Sequence, residues 1–327
     1  MFILGDDMEL LIITFILIFV LIVFIYIYET NINLFTKGFR FINSHDTNKV
    51  NLGRYEKSIL NTEVIDDVLV KVKDLPDASI RFYSLKDNKK DLPVVMFIHG
   101  GGWVGGSAEK IEPFCKLIAS NGYVVANVSY SLAPEYPYPS STIQLVSCLN
   151  YIYNNSKKYN IDRERFFIGG TSAGAHLSSQ LGCLVSSKKY QEEVGVQVDV
   201  PKISGLLLIN GVYNFDTVGD CKFPGMKHFI WAYMDEKNNI DSDKLNEVST
   251  IKHINKKYPS VFITAGDKDP LKSQSLELIE VLKDKDIYYK EVFFENSNLF
   301  HDFIYRLNHE KAAITYEELI KFLYMNE

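Results

Sequence analysis

A mainly parallel α/β fold is predicted by three features of this chain. Strand-like runs alternate with amphipathic segments, a G-x-S-x-G pentapeptide lies between one such pair, and the length suffices to bury one large core. The 327 residues are 46% hydrophobic and 23% charged, and α/β folds of this size commonly form a single domain. Period-two patterns begin at residues 64–72 and 79–83, and strand-like runs follow at 94–98, 123–130, 165–168, 203–209, 261–264 and 288–294. Helix-like segments at 108–120, 141–153, 173–185, 272–283 and 310–324 fill the intervals, as right-handed crossovers between parallel strands require. Catalytic-domain boundaries of 61–327 follow. Residues 211–258 break the rhythm. With Phe215, Phe223, Met226, Phe229, Ile230, Trp231, Tyr233 and Met234 they read as an inserted helical cap, at about 212–258, roofing an apolar pocket.

The N-terminus follows a different rule. Residues 10–28 are apolar or aromatic throughout except for Thr14, enough for a helix to cross a hydrocarbon layer of about 30 Å. No Lys or Arg precedes this run and no small-residue cleavage pattern follows, so residues 1–30 are expected to be a single-pass membrane anchor rather than a cleaved signal. Asp6, Asp7 and Glu9 before it, with Lys37 and Arg40 after it, favour a cytoplasmic catalytic domain. Residues 31–60 are polar and Asn-rich with short aromatic pieces, a linker or cap segment. The net charge of −6 without a basic cluster argues against nucleic-acid binding. The four cysteines, Cys115, Cys148, Cys183 and Cys221, show no framework spacing. No Cys/His cluster, HExxH, P-loop or dinucleotide fingerprint occurs, so neither metal nor cofactor is expected, and the oligomeric state is left open.

The chemistry concentrates around Gly170-Thr171-Ser172-Ala173-Gly174, which follows the apolar run 166–168 and opens a helix pattern. A serine at such a strand-to-helix elbow projects its hydroxyl above the sheet edge, where the helix N-terminus favours developing negative charge, so Ser172 is the candidate nucleophile. His99-Gly100-Gly101-Gly102-Trp103 ends another strand-like run, and its glycine N–H groups can approach a substrate oxygen closely. Backbone N–H groups of Gly101, Gly102 and Ala173 form the candidate oxyanion hole. A serine hydroxyl needs a base and an orienting carboxylate, which in this arrangement follow it in the chain. Among the downstream histidines His228, His253 and His301 compete, while His309 sits on the last helix. His301 is preferred because it lies in a loop between the last strand-like run and the last helix. Asp269 is the candidate acid because Pro270 can start the next helix; Asp267, two residues earlier, is the alternative. His176, four residues past the serine, reads as a packed helix residue, and His99 as a residue shaping the glycine loop.

These motifs resemble the hormone-sensitive-lipase branch of the α/β-hydrolases, which includes bacterial carboxylesterases and the membrane-anchored arylacetamide deacetylases. His99-Gly100-Gly101-Gly102 is similar to the HGGG signature of that branch, and the segment from Ser129 to Pro139 is similar to its YRLAPEHPFP. Gly169 to Gly174 resembles its GGDSAG elbow, Asp269-Pro270-Leu271 its DPL, and His301-Asp302-Phe303 its HGF. The match runs in order over roughly residues 60–327. Thr171 stands where the elbow has aspartate, Ser131 where the second motif has arginine, and Asp302 where the last has glycine. The resemblance implies an α/β-hydrolase with a Ser172–His301–Asp269 triad, acting through an acyl-enzyme on short- to medium-chain acyl esters, with amide deacetylation as a further activity. The run from Ser172 to His176 also resembles kynurenine formamidases and isoprenylcysteine methylesterases, so a formamidase- or methylesterase-like hydrolase is the alternative, and an inactive tethered binding module the rival class. Likeness to the deacetylases implies a lumenal domain, opposite to the flanking charges, and the membrane side stays open.

Overall fold

The computed structural model describes residues 3–45, 50–237 and 241–326. Helices α1 (Ile3–Thr30) and α2 (Ile32–His45) precede strands β1 (Thr62–Val70), β2 (Ala78–Leu85) and β3 (Leu92–Ile98). The chain then alternates through α3 (Ala108–Ala119), β4 (Val124–Ser129), α4 (Ser140–Asn154), β5 (Ile161–Thr171), α5 (Ala173–Ser186), α6 (Lys188–Val194) and β6 (Gly205–Ile209). Two cap helices, α7 (Met226–Met234) and α8 (Ser242–Val248), come before β7 (Ser260–Thr264), α9 (Lys272–Asp284), β8 (Tyr289–Val292) and α10 (Glu310–Met325).

The strands form one eight-stranded sheet in the order β1-β2-β4-β3-β5-β6-β7-β8. β2 runs antiparallel to both its neighbours, and every other pairing is parallel. Successive side chains on a strand point to opposite faces, and here each face has its own core. Val94, Met96, Ile98, Phe166, Ile168, Leu206, Leu208, Val261 and Ile263 pack on one side with α4, α5 and α9. Val95, Phe97, Phe167, Leu207, Ile209 and Phe262 pack on the other with α3 and α10. Burial on both faces explains why these strands read as continuous apolar runs. Because β3, β5, β6, β7 and β8 are parallel, the loops leaving their C-terminal ends gather at one edge of the sheet, where open α/β sheets place their ligands.

The polar connection expected after residue 28 holds a helix instead. α2 carries Phe35 and Phe39 one turn apart, and both rings face α7. Asn-rich composition hid that apolar pair. The expected spanning run lies within α1, helical from Ile3 to Thr30. The side chains of Leu10, Ile12, Phe24, Ile27 and Tyr28 fall outside the described residues, and among the described residues no helix is long and apolar enough to cross a membrane. The side chains of α1 that are described, Phe15, Leu17 and Phe19 among them, are exposed.

Candidate active site

β5 turns into α5 through Ser172, whose backbone sits at φ 54, ψ −121. A non-glycine residue there costs about 1–3 kcal/mol, a strain typical of residues that must project from a tight turn. Its amide donates to Ile209 O on the neighbouring strand at 2.9 Å, which fixes the elbow to β6. The elbow also presses against β3: a methyl group on Gly174 would lie 2.1 Å from the Ile98 carbonyl oxygen, so glycine alone fits.

The acid and base come from the loops after β7 and β8. His301 Nδ1 donates to Asp269 Oδ2 at 2.9 Å. Asp269 is buried, receives Asn210 Nδ2 on the same oxygen, and accepts the Leu271 amide on Oδ1 at 2.9 Å. Asp267 has a different task. It accepts the backbone N–H groups of Ser297, Asn298 and Leu299 at 3.0, 3.2 and 2.7 Å, and so folds the loop that presents His301. The structure therefore brings Asp269, not Asp267, to the imidazole.

Charge around His301 is two-sided. Burial disfavours its cation, but Asp302 beside Nε2, at 3.9 Å, and Asp269 on Nδ1 together outweigh that and push its pKa up to about 9. Burial raises the Asp302 carboxyl above the ordinary carboxylate range, with the neighbouring imidazole opposing it. Thr171 Oγ1 shares a hydrogen bond with Tyr305 Oη at 3.1 Å.

The glycine loop follows β3. Gly101 and Gly102 take φ values of 123 and 59, open to glycine, and the Gly105 amide closes the turn on Gly101 O at 2.9 Å. His99 is stacked on Tyr130 at 4.4 Å with Nδ1 2.8 Å from Gly100 O; burial pushes its pKa down to about 4, so it is a neutral brace for the loop. Trp103 Nε1 donates to His176 Nδ1 at 3.1 Å, and His176 Nε2 in turn donates to Val248 O at 2.9 Å. His176 is fully buried, its pKa also pushed down to about 4, and it serves as a neutral link between loop and cap.

The cap and α2 close the site from above. Trp103 stacks on Tyr233 at 4.7 Å, and Phe229 meets Phe35 and Phe39 edge-on at 5.1 and 5.0 Å. Arg40 ties α2 to the loop, donating through Nε to Val104 O at 2.6 Å, through Nη2 to Ala133 O at 2.8 Å, and to both oxygens of Glu135. A cavity of about 380 Å³ results, lined by Gly101, Gly102, Ser172, Ala173, His301, Phe39, Phe223 and Phe229, among others. That volume suits a small organic ligand.

Sequence candidates left outside are accounted for. His228 stacks on Phe35 at 4.6 Å, His253 stacks on Tyr190 at 3.8 Å, and His309 accepts from the Lys311 amide to cap α10. Asn210, the Trp103–His176–Val248 chain and the α2 wall escaped sequence reasoning. Asn210 alone had a signal, since it directly follows the strand-like run that becomes β6, level with the end of β7 before the acid loop. All four cysteines are free and buried, and among the described residues no cluster of three or more potential ligands could hold a metal ion.

Comparison with known proteins agrees with this architecture. The BD-FAE family model matches residues 80–282. An alpha/beta hydrolase of Acanthamoeba polyphaga mimivirus is 26% identical over 225 residues, covering 67% of this chain and 63% of its own length. Carboxylesterase NlhH of Mycobacterium tuberculosis is 31% identical over 121 residues, 37% of this chain and 38% of its own. The chain thus spans less than two thirds of the curated relatives it matches. Among solved structures, Esterase B from Lactobacillus Rhamnosis superposes with a TM-score of 0.78 at 19% identity, over 91% of this chain and 96% of that one, a likeness of fold. With a family model matched across more than half its length, on an eight-stranded sheet with a serine elbow, the chain belongs to the BD-FAE family and is an α/β-hydrolase of the hormone-sensitive-lipase branch.

Proposed function

We propose that this protein is a serine carboxylesterase for short- to medium-chain acyl esters, tethered to a membrane by α1. One observation carries the reading: His301, held by Asp269, and the Gly101–Gly102 loop line one cavity with the Ser172 elbow. Ser172 Oγ attacks the acyl carbon while His301 Nε2 takes its proton; the same nitrogen returns it to the departing alcohol oxygen, leaving an acyl-serine. Water then repeats the sequence, releasing the carboxylic acid and restoring the serine. Asp269 holds the imidazole tautomer and stabilises its cation. N–H groups of Gly101, Gly102 and Ala173 receive the oxyanion.

Likeness to carboxylesterase NlhH supports the same class. For the tether, the composition of residues 10–28 is the main support. The end of α1 also meets the cap, where Lys237 Nζ donates to Glu29 O at 2.9 Å and His228 Nε2 lies 3.5 Å from Glu29 Oε2. Turnover of p-nitrophenyl acyl esters from acetate to octanoate by the full chain in detergent tests the reaction, with an acetylated arylamine and a formamide as comparison substrates. Absence of ester turnover, or a formamide hydrolysed faster than every ester, overturns the reading. Release of the full chain from membranes by carbonate alone overturns the tether.

A further inference from the structure

Two departures from the family motifs lie together in space. Relative to GGDSAG and HGF, an acid has left the position before the serine, now Thr171, and one has entered the position after the histidine, Asp302. Asp302 occupies a left-handed backbone conformation, φ 56 and ψ 28, which glycine adopts freely and aspartate tolerates. Its side chain is 35% exposed and lines the cavity. Asp302 Oδ1 is buried, lies 3.9 Å from His301 Nε2 and has no hydrogen-bond partner among the described residues, while the Thr171 side chain hydrogen-bonds the same carboxyl.

A carboxylate in this position is an acceptor without a full set of donors. The esterase reading, on which this inference rests, makes Nε2 the atom that hands a proton to the departing oxygen. That oxygen must come within about 3 Å of Nε2. A hydroxyl on the adjacent carbon of the leaving alcohol then comes within reach of Asp302, whose carboxylate keeps lone pairs beyond the one the Thr171 side chain engages. Lys110 and Arg306 line the same cavity, which disfavours a cationic leaving group and leaves a neutral donor as the better match.

We propose that Asp302 is a specificity-determining residue that accepts a hydrogen bond from a hydroxyl next to the scissile oxygen, selecting partial esters of diols and polyols over simple alkyl esters. The test compares kcat/KM of the full chain for 2-hydroxyethyl butyrate, 2-methoxyethyl butyrate and propyl butyrate at one pH. A hydrogen bond to a charged acceptor predicts a preference of about 10- to 100-fold for the hydroxyl-bearing ester over the other two. Asp302→Gly, which keeps the backbone conformation, is expected to bring that ratio within about threefold of unity, while Asp302→Asn, which keeps an acceptor oxygen, retains an intermediate ratio. The ratio is internal to each variant, so any general change in turnover cancels.

A wild-type ratio near unity alongside ready turnover of p-nitrophenyl butyrate overturns the inference and leaves the esterase reading standing. An undiminished ratio in Asp302→Gly overturns it as well. Failure to hydrolyse any ester, p-nitrophenyl butyrate included, overturns both.

Discussion

The floor and the roof of the cavity are built by different means. On the floor, each reactive group is fixed by backbone contacts. Gly174 lies against the Ile98 carbonyl, Asp267 holds three consecutive amides of the His301 loop, and Asp269 takes the Leu271 amide. On the roof, α2 and α7 are joined by the Phe35, Phe39 and Phe229 rings, and Arg40 reaches 64 residues along the chain to Val104. Floor contacts tolerate little displacement, because proton transfer and oxyanion stabilisation depend on sub-ångström placement. Ring contacts tolerate adjustment. Floor substitutions should therefore act on turnover, and roof substitutions on substrate binding.

The sharpest break of that comparison is Ser172→Ala, expected to lower kcat/KM by about 10⁴- to 10⁶-fold with thermal stability nearly unchanged, since alanine fits the elbow and the glycines remain. Stopped assays on purified protein, with Ser172 phosphonylation by an organophosphate as an independent probe, check it; more than a tenth of normal activity sinks the assignment. Next comes the pair of aspartates. Asp269→Asn leaves His301 without its counter-charge and in the wrong tautomer, a loss of about 10⁴-fold in a comparable triad. Asp267→Asn keeps the side-chain shape and can still accept part of the amide set, so its loss should stay near tenfold. The reverse order of severity would move the acid to Asp267.

The pH profile probes the floor more gently. A general base must be neutral, so a His301 pKa near 9 makes kcat/KM rise about tenfold per pH unit up to that point and flatten above it. At pH 7 the free enzyme would then run about a hundredfold below its plateau. Asp302 and Asp269 are the two groups that raise this pKa against the effect of burial. Asp302→Asn should shift the limb to lower pH and increase activity at pH 7. Hydrolysis of ethyl butyrate followed by pH-stat measures both limbs; an identical limb in the two proteins removes Asp302 from the electrostatics of the base.

The same division governs what the sequence reveals. The elbow, glycine loop, acid and histidine were legible because each follows a strand-like run and uses residue types that local backbone geometry demands, such as glycine where carbonyls crowd or aspartate before a helix. The alternating strands were legible because burial on both faces of a parallel sheet leaves few polar interruptions. Pro270 favoured Asp269 over Asp267 but left both open, since both are acids in one turn, and the path of residues 297–299 tells them apart. α2 was missed because its Asn, Thr, Lys and Arg residues masked Ile32, Phe35 and Phe39, which recur at helical spacing and pack on partners far along the chain. His176 shows the converse: helix context and burial were readable, but its link from Trp103 to Val248 depends on how the cap folds back.

Arg40→Ala tests the roof alone and carries the smallest expected effect. The guanidinium joins α2 to the Val104 and Ala133 carbonyls and to Glu135, and none of these groups belongs to the proposed triad or oxyanion hole. Its side chain is 31% exposed and that of Glu135 50%, so solvent screens the ion pair and each contact contributes modestly. Loss of all of them lets α2 swing from the glycine loop while Phe35 and Phe39 still rest on Phe229. KM for a butyrate ester should rise about three- to tenfold with kcat within about twofold of normal, because the wall that bears Phe39 loosens while Ser172, His301 and Asp269 keep their places. A fall in kcat of a hundredfold with KM unchanged would show that α2 orders the floor, and the separation between the two regions would be lost.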